Sequence, residues 1–456
     1  MYIVITGAGK VGGRLCGDLV RENHDIIVIE KDEDRLEQFI NTYDISGVSG
    51  NGAAYAVQLE AGVDRCDVFI AVTSNDETNI IAAITARKLG AKYTIARVRN
   101  PEYSGQVDFL RESLGITLMI NPELEAARAV TQMLRFPAAL NVEPFRHGRV
   151  NMVELALRTD APMVGLKLRD HNGRFGNVII CIVVRGEQVL IPDGETCLRA
   201  GDHVMVTGST ADVLEFCNKS QKGPARLESA LIIGGGRVTN YLVPELLKMH
   251  MRVKVIERDP VTADELAIKF PRAEIVSGDG TKQAFLKEEH AADYDSVIAL
   301  TGIDEENILL SLFAQRSGIK KTVTKVNRTD LLKLLENVGE QAIITPQCLI
   351  SDSIVRFVRS TENSQGSNID AFYRLADGSV EVLQFKVKES SRAAKATLAQ
   401  LPTKSGVLVI CIIREDNIIY PGGSDRILPG DDVIVATTRK GFQDLDDILA
   451  ETRSQA

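Results

Sequence analysis

The sequence predicts an α/β protein: two Rossmann-like parallel-sheet domains, each followed by a small α+β module. Three observations carry that prediction. A glycine-rich signature follows the first strand-like run and opens a helical pattern, within Tyr2–Leu15. A partial copy stands at Leu231–Leu242, with Gly234 placed relative to Gly7 as Glu257 is to Glu30. The echo then continues, from DVFIAVTSNDETN at Asp67 to DSVIALTGIDEEN at Asp295, and from VLIPDGETCLRAGDHVMV at Val189 to IIYPGGSDRILPGDDVIV at Ile418. A repeat that keeps its order reads as duplicated modules. An enzyme needs one productive site, whereas a two-site regulator gains from duplication.

Each element has a local reason. Short apolar runs at Ile3–Thr6, Ile26–Glu30, Ile45–Val48, Val68–Thr73 and Thr94–Val98 alternate with helical stretches from Gly12 and near Thr78–Leu89. That alternation implies βαβ units and a parallel sheet. Asn121-Pro122 is a helix start, with Asn as N-cap and Pro in the first turn. Ala126, Ala127, Val130, Met133 and Leu134 follow at helical spacing until Pro137 ends the run. Thr345-Pro346 opens the matching crossover helix of the second half. From 141 the pattern shortens: Val153–Arg158 alternates apolar and polar, Val178–Val184 is a buried strand, and Gln188–Ile191 enters a Pro-Asp-Gly turn. The expected division is therefore 1–140 and 229–365 for the sheet domains with their crossover helices, 141–218 and 366–456 for the small modules. Lys219–Glu228, polar and carrying Gly-Pro, is the linker between halves, and the polar Asn363–Asn368 stretch precedes the last module.

Composition excludes several classes. The chain has 456 residues, 25% charged and 44% hydrophobic, and a formal net charge of −9. That balance, with no dense Lys/Arg run, speaks against nucleic acid as the main partner. The N-terminus enters a strand directly, so no cleaved signal peptide is expected. VIICIVV at Val178 and VLVICII at Val407 are too short to cross a bilayer, which argues against membrane insertion. Seven cysteines without a CxxC pair fit a reducing cytoplasm rather than a disulfide framework or zinc site. Six scattered histidines offer no metal cluster.

Gly7, Gly9 and Gly12 form a full GxGxxG between strand and helix, with Ala8, Lys10 and Val11 between them. The first glycine makes the tight turn, the second admits a pyrophosphate to the backbone, and the third allows close helix–strand packing. Glu30 ends the next strand, where an acid accepts hydrogen bonds from a ribose. The signature fits NAD(H), ATP and ADP alike but disfavours NADP, whose 2′-phosphate Glu30 would repel. In the second copy, Gly234, Gly235, Gly236, Arg237, Val238 and Glu257 take the corresponding places. Thr239 replaces the third glycine and is expected to loosen the packing. Lys10 and Arg237 set a cation beside the expected phosphates. Arg97 and Lys325 end a later strand on the ligand edge. Thr73 and Ser74, matched by Thr301, belong to a loop over the crevice, where Asp76 and Asp304 also suit a helix start. Asn51 and Asp279 sit in Gly-Asn-Gly and Gly-Asp-Gly turns that border an adenine or only shape a loop.

These residues resemble the TrkA family, cytoplasmic nucleotide-binding subunits of Trk potassium-uptake systems built from tandem RCK-type halves. The resemblance rests on GAGKVGG with Glu30, AVTSNDETN, ARVRNPEY at Ala96, and the RAGD and LPGD endings at Arg199 and Leu428. It implies a Rossmann-like RCK N-module and an α+β RCK C-module in each half, and no catalysis. It further implies a homotetrameric gating ring at the inner face of the membrane, docked on a TrkH-type potassium-translocating subunit. The contrasting class is an NAD-dependent dehydrogenase, which needs a general acid/base beside the nicotinamide. His147, His171 and His203 have no counterpart in the second copy, which weakens that reading. A nucleotide sensor for some other partner is the third.

Overall fold

The first strand, β1 (Tyr2–Thr6), is wholly apolar until its last residue and lies in the centre of a six-stranded sheet. The protein's structure, a computed structural model, describes residues 1–450 apart from 105–106, 146–149, 171–174, 176, 222–225, 329–330, 332–341, 364–368, 376–378 and 416. His147, His171 and most of the Asn363–Asn368 stretch thus lie outside the described residues. The chain forms two compact units, one from 1–131 with 228–358 and one from 132–227 with 359–456.

In the first unit, β1 is followed by α1 (Lys10–Val20), β2 (Asp25–Glu30), α2 (Glu33–Tyr43), β3 (Ser46–Ser49), α3 (Tyr55–Glu60), β4 (Val68–Ala71), α4 (Asp76–Leu89), β5 (Tyr93–Arg97), α5 (Pro101–Ser104), α6 (Val107–Leu114) and β6 (Leu118–Ile120). The strands pair in parallel in the order β3-β2-β1-β4-β5-β6. The order in which strands are added reverses between β1 and β4, which opens a crevice at their carboxyl ends. The first crossover helix, α7 (Pro122–Arg135), starts where Asn121 Oδ1 accepts the Glu123 and Leu124 amides, each at 3.0 Å.

The small module of the first half contains β7 (Asn141–Phe145), β8 (Val150–Ala156), β9 (Ile179–Arg185), β10 (Gln188–Leu190), β11 (His203–Gly208) and α8 (Thr210–Gln221). Helix α8 runs to Gln221, into the stretch the sequence suggested as a linker, and buries Val213, Phe216 and Cys217. The second half repeats the sheet with β12 (Ser229–Ile233), α9 (Arg237–Lys248), β13 (Arg252–Glu257), α10 (Pro260–Lys269), β14 (Glu274–Ser277), α11 (Gln283–Glu288), β15 (Ser296–Ala299), α12 (Asp304–Arg316), β16 (Lys321–Lys325) and β17 (Ala342–Ile344). Its order, β14-β13-β12-β15-β16-β17, matches that of the first sheet.

The second crossover helix (Pro346–Asn363) fastens the two sheets of this unit together. Ile350, Ile354, Val355 and Val358 enter the core of the first sheet beside Leu15, Leu19 and Val28. Phe357 meets Tyr93 edge-on at 5.8 Å, and the Ser351 hydroxyl donates to Asp18 at 2.9 Å.

The second unit holds two antiparallel five-stranded sheets, β10-β9-β11-β8-β7 and its repeat built from β18 (Ile369–Leu375), β19 (Val380–Lys386), β20 (Val407–Arg414), β21 (Asn417–Ile419) and β22 (Asp432–Thr437). Inner faces meet through Cys181, Ile182 and Met205 against Val382, Ile410 and Ile434, while the Phe145 and Tyr373 rings meet at a tilt of 56° with centroids 4.2 Å apart. The outer face of the first sheet is covered by α8 and neighbouring loops. Strand β8 is therefore buried on both faces except at Glu154, despite its alternating sequence. The RAGD and LPGD endings are structural devices. Buried Asp202 receives Arg185 through two bonds of 2.7 Å, and Asp431 receives Arg414 through two of 2.9 Å.

Candidate nucleotide site

The first site is built where β1 stops. Gly7 takes a φ of +108°, and a Cβ there would lie 3.0 Å from the Thr73 backbone. A Cβ at Gly12 would stand 2.0 Å from the Gly7 carbonyl, so only glycine lets α1 start this close to the strand. Gly9 is different. It is the N-cap of α1, makes no side-chain cap, and a Cβ there would meet nothing within 4 Å. The open space lies over the helix N-terminus, whose amides and dipole attract an anion.

Glu30 organises that loop. One carboxylate oxygen accepts the Ala8 amide at 2.7 Å, and the other accepts the Lys31 and Asp32 amides at 2.8 and 3.3 Å. The remaining lone pairs stay available to a ribose. Gly7, Gly9, Lys10, Val11, Glu30, Asn51, Thr73, Ser74 and Arg97 all line one cavity of about 400 Å³. Ala8 and Gly12 are not among its walls; they shape the loop from beneath. Lys31, Arg35 and Thr78 also line it and were not singled out in the sequence. Their signal was the Glu30-Lys31 pair with Arg35 one helical turn on.

The loop after β4 is held by a buried side chain the sequence reading passed over. Asn79 accepts the Thr73 amide at 2.9 Å and its hydroxyl at 2.7 Å, and it donates to the carbonyls of Thr73 and Arg97 at 3.2 and 2.9 Å. Asn307 repeats the clamp with Thr301 and Lys325. Asp76 binds the Arg99 and Asn100 amides, and Asp304 those of Asn327 and Arg328, so both acids tie helix starts to the following strand ends. Arg97 donates to the Thr73 carbonyl, and burial, with Arg99 beside it, pushes its guanidinium down to about 10. Lys325 reaches the Leu300 carbonyl at 3.1 Å and is likewise lowered by burial.

Copy two reproduces the frame with one change. Gly234 has a φ of +107°, Gly236 stands open, and Glu257 accepts the Gly235 and Asp259 amides. Thr239 is fully buried and its hydroxyl donates to the Gly234 carbonyl. Since a Cβ at Gly12 would collide with the matching carbonyl, α9 must start farther from its strand than α1 does. The hydroxyl spans that gap. Val238 is buried beneath the loop and Arg237 is exposed on it. Asn51 and Asp279 both close turns, accepting the Ala53 and Thr281 amides at 3.2 and 3.1 Å.

The halves also approach each other's loops within this unit. Asn121 donates to the Tyr241 hydroxyl at 2.9 Å, which places the α7 start against the α9 face that carries Arg237. Glu123, half-buried there, has its carboxyl raised by desolvation although Arg99, Arg237 and Arg97 oppose the shift. On the other side, Lys10 lines a second cleft of about 480 Å³ with Arg14, Arg328 and Gln347. Among the described residues no His/Cys/Asp/Glu group is arranged to hold a metal.

TrkA-N domains match residues 3–122 and 230–346, and TrkA-C domains match 152–221 and 382–450. The chain belongs to the TrkA family. The Trk system potassium uptake protein TrkA homolog of Archaeoglobus fulgidus is 32% identical over 98% of this chain and 100% of its own length. The TrkA protein of Halomonas elongata is 30% identical over 95% of each. A GsuK channel bound to NAD aligns with a TM-score of 0.63, 19% identity, and coverage of 96% of this chain and 76% of that one. The isolated GsuK RCK domain aligns at 0.62 and 19% identity over 95% and 92%. These structures share the fold of tandem RCK halves. No helix among the described residues is long and apolar enough to cross a membrane.

Proposed function

We propose that this TrkA-family chain is the cytoplasmic, nucleotide-binding regulatory subunit of a potassium-uptake system and acts on a TrkH-type membrane partner. The observation that carries the reading is the cavity over Gly9, with Glu30 at its ribose end and Lys10 at its phosphate end. NAD(H), ADP and ATP share the adenosine and pyrophosphate that such a cavity takes. Relatives named for potassium uptake and a GsuK channel bound to NAD support both halves of the proposal. Lys10 borders the nucleotide cavity and the cleft holding Arg14 and Arg328 alike, so a third phosphate would leave one and enter the other. Binding that differs between ATP and ADP can then bias two ring states. The second site is proposed to bind more weakly, through Gly234, Gly236, Glu257 and Arg237, because its helix starts farther from the strand.

We read the chain as a regulator and not an enzyme. The acids around the cavity are committed to backbone amides, Glu30 to its loop and Asp76 to the β5 end. Four copies would supply eight RCK-type halves for a ring, each chain contributing modules near 1–140, 141–218, 229–365 and 366–456. The test is potassium flux through a reconstituted TrkH-type partner with each nucleotide. The proposal predicts a nucleotide-dependent rate that Gly9→Val abolishes; a rate indifferent to nucleotide overturns it.

A further inference from the structure

The second parallel-sheet module contains an apolar cavity of about 230 Å³ on the face where α11 and α12 cover β12 and β15. Leu231, Leu286, Val297, Leu310, Phe313 and Ile319 form its walls. A cavity of roughly 150 Å³ with comparable walls holds benzene, so this one has room for an aromatic ring with a short stem.

The first half shows what closing this space looks like. Strand pairing sets Val4 opposite Phe69 and Leu231 opposite Val297. Phe69 is completely buried, filling its own module from the position where Val297 leaves room. Counting from the matched clamps Asn79 and Asn307, Leu89 at the end of α4 corresponds to Ser317 after α12. Two plugs are thus smaller in the second copy. Meanwhile the walls are larger and more apolar: Thr6 becomes Ile233, Ala82 becomes Leu310, and Thr85 becomes Phe313. The second copy thus lacks the central ring and has a more apolar wall around the space it would fill.

The mouth carries polar groups of both signs. Lys287 lies in the last turn of α11, His290 follows in the loop beyond it, and Asp293 comes three residues later. His290 holds a φ of +55°, where the first copy has Gly62 at +67°. A non-glycine residue in the left-handed region is a strained choice that puts an imidazole at the rim. Arg252 is adjacent, its guanidinium 4.5 Å from the Tyr294 ring centroid and 3.4 Å from the Asp293 carbonyl.

We propose that this cavity binds a free apolar α-amino acid of the phenylalanine or leucine class. Its side chain fills the space beside Val297 and Phe313. Its carboxylate meets Lys287 and His290, and its ammonium meets Asp293. An apolar interior with a few convergent polar groups is the usual form of a small-molecule site, and a mouth of mixed charge selects a zwitterion over either ion alone.

Calorimetry on the full chain with L-phenylalanine and L-leucine tests this, with phenylacetate and phenethylamine as single-charge comparators and ADP as a control for the glycine loop. Saturable binding of at least one amino acid, one per chain, is expected, tighter than either comparator. Val297→Phe, which installs the first copy's plug, should weaken it by about tenfold or more while ADP binding stays unchanged. Ser317→Leu should weaken it in the same direction, which guards against misfolding of one variant. Asp293→Asn should erase the preference for L-phenylalanine over phenylacetate. No binding of either amino acid at millimolar concentration overturns the proposal, as does binding that survives both plugging variants. Equal binding of phenylacetate to wild type overturns the zwitterion assignment.

Discussion

Replacing Gly9 with valine separates ligand approach from folding in a way few glycine changes do. The residue caps α1 in an extended conformation at φ −83° and ψ −171°, which valine also adopts. A Cβ there touches nothing within 4 Å, so the isopropyl group projects into the cavity and not into the protein. Valine is a poorer N-cap than glycine, a cost of about 1 kcal/mol to the fold. Against a bound pyrophosphate the same group stands in the phosphate's place. Loss of two charge-assisted backbone contacts, at about 1.5 kcal/mol each, gives about a hundredfold fall in affinity.

Gly12→Ala is the informative opposite. Its new methyl would sit 2.0 Å from the Gly7 carbonyl, so α1 must move and stability falls by about 1–3 kcal/mol. Titration calorimetry with NADH, ADP and ATP, paired with thermal melts, reads both quantities. The reasoning requires Gly9→Val to melt near wild type and bind poorly, and Gly12→Ala to melt early. Unchanged nucleotide affinity in Gly9→Val would refute the placement of the phosphates over this helix.

Further expectations follow from the same structure. Lys10→Ala should narrow the affinity difference between ATP and ADP by about tenfold while sparing adenosine, measured by calorimetry. Asp202→Asn should cost about 3 kcal/mol in denaturant unfolding, because it strands Arg185 at a buried partner. Burial raises the Asp202 carboxyl, but the Arg185 bonds outweigh it and leave it below the usual range. Its stabilising contribution is therefore complete above the ordinary carboxylate range and lost as pH falls below about 4, so Asp202→Asn should flatten acid unfolding there. Burial pushes the Cys16 and Cys66 thiols up to about 12, so iodoacetamide at mild alkaline pH should spare both until the protein is unfolded. Light scattering should find a tetramer; a monomer at micromolar concentration, with and without nucleotide, contradicts the ring.

Much of the frame was legible because its causes are local. A positive φ at Gly7, an acid at the end of β2 and an Asn-Pro helix start each leave a mark at one position. The parallel sense of both sheets followed from apolar runs alternating with helices. What stayed hidden depends on partners distant in sequence. Strand β8 reads as half-wet, since nothing in Val150–Ala156 reveals a second sheet on its other face. The second crossover helix has an apolar stripe, yet the stripe does not say that it lies on Leu15 and Leu19 of the first half. Asn79 was within reach: both copies keep Thr and Asn six residues apart, and a buried amide at that spacing closes a loop. The RAGD and LPGD endings carried the family resemblance, but their chemistry is an Arg–Asp lock that orders a turn.

The duplication also explains why the two sites need not behave alike. Each glycine loop faces the opposite crossover helix, so a difference in either half alters the other half's site. Gln347 and Arg328 stand at the Lys10 cleft, whereas the start of α7, carrying Glu123, abuts the face with Arg237. A neutral amide with a cation admits further negative charge. A carboxylate opposes it by Coulomb repulsion, which the half-buried setting of Glu123 strengthens. The first loop therefore suits the more highly phosphorylated ligand, and the second, already widened by Thr239, suits the less charged one. Glu123→Gln, which copies Gln347 into the first half, should raise ATP affinity at the second loop relative to ADP. Calorimetry of Glu123→Gln in a Gly9→Val background isolates that loop, and an ATP/ADP ratio no different from that of Gly9→Val alone would refute the argument.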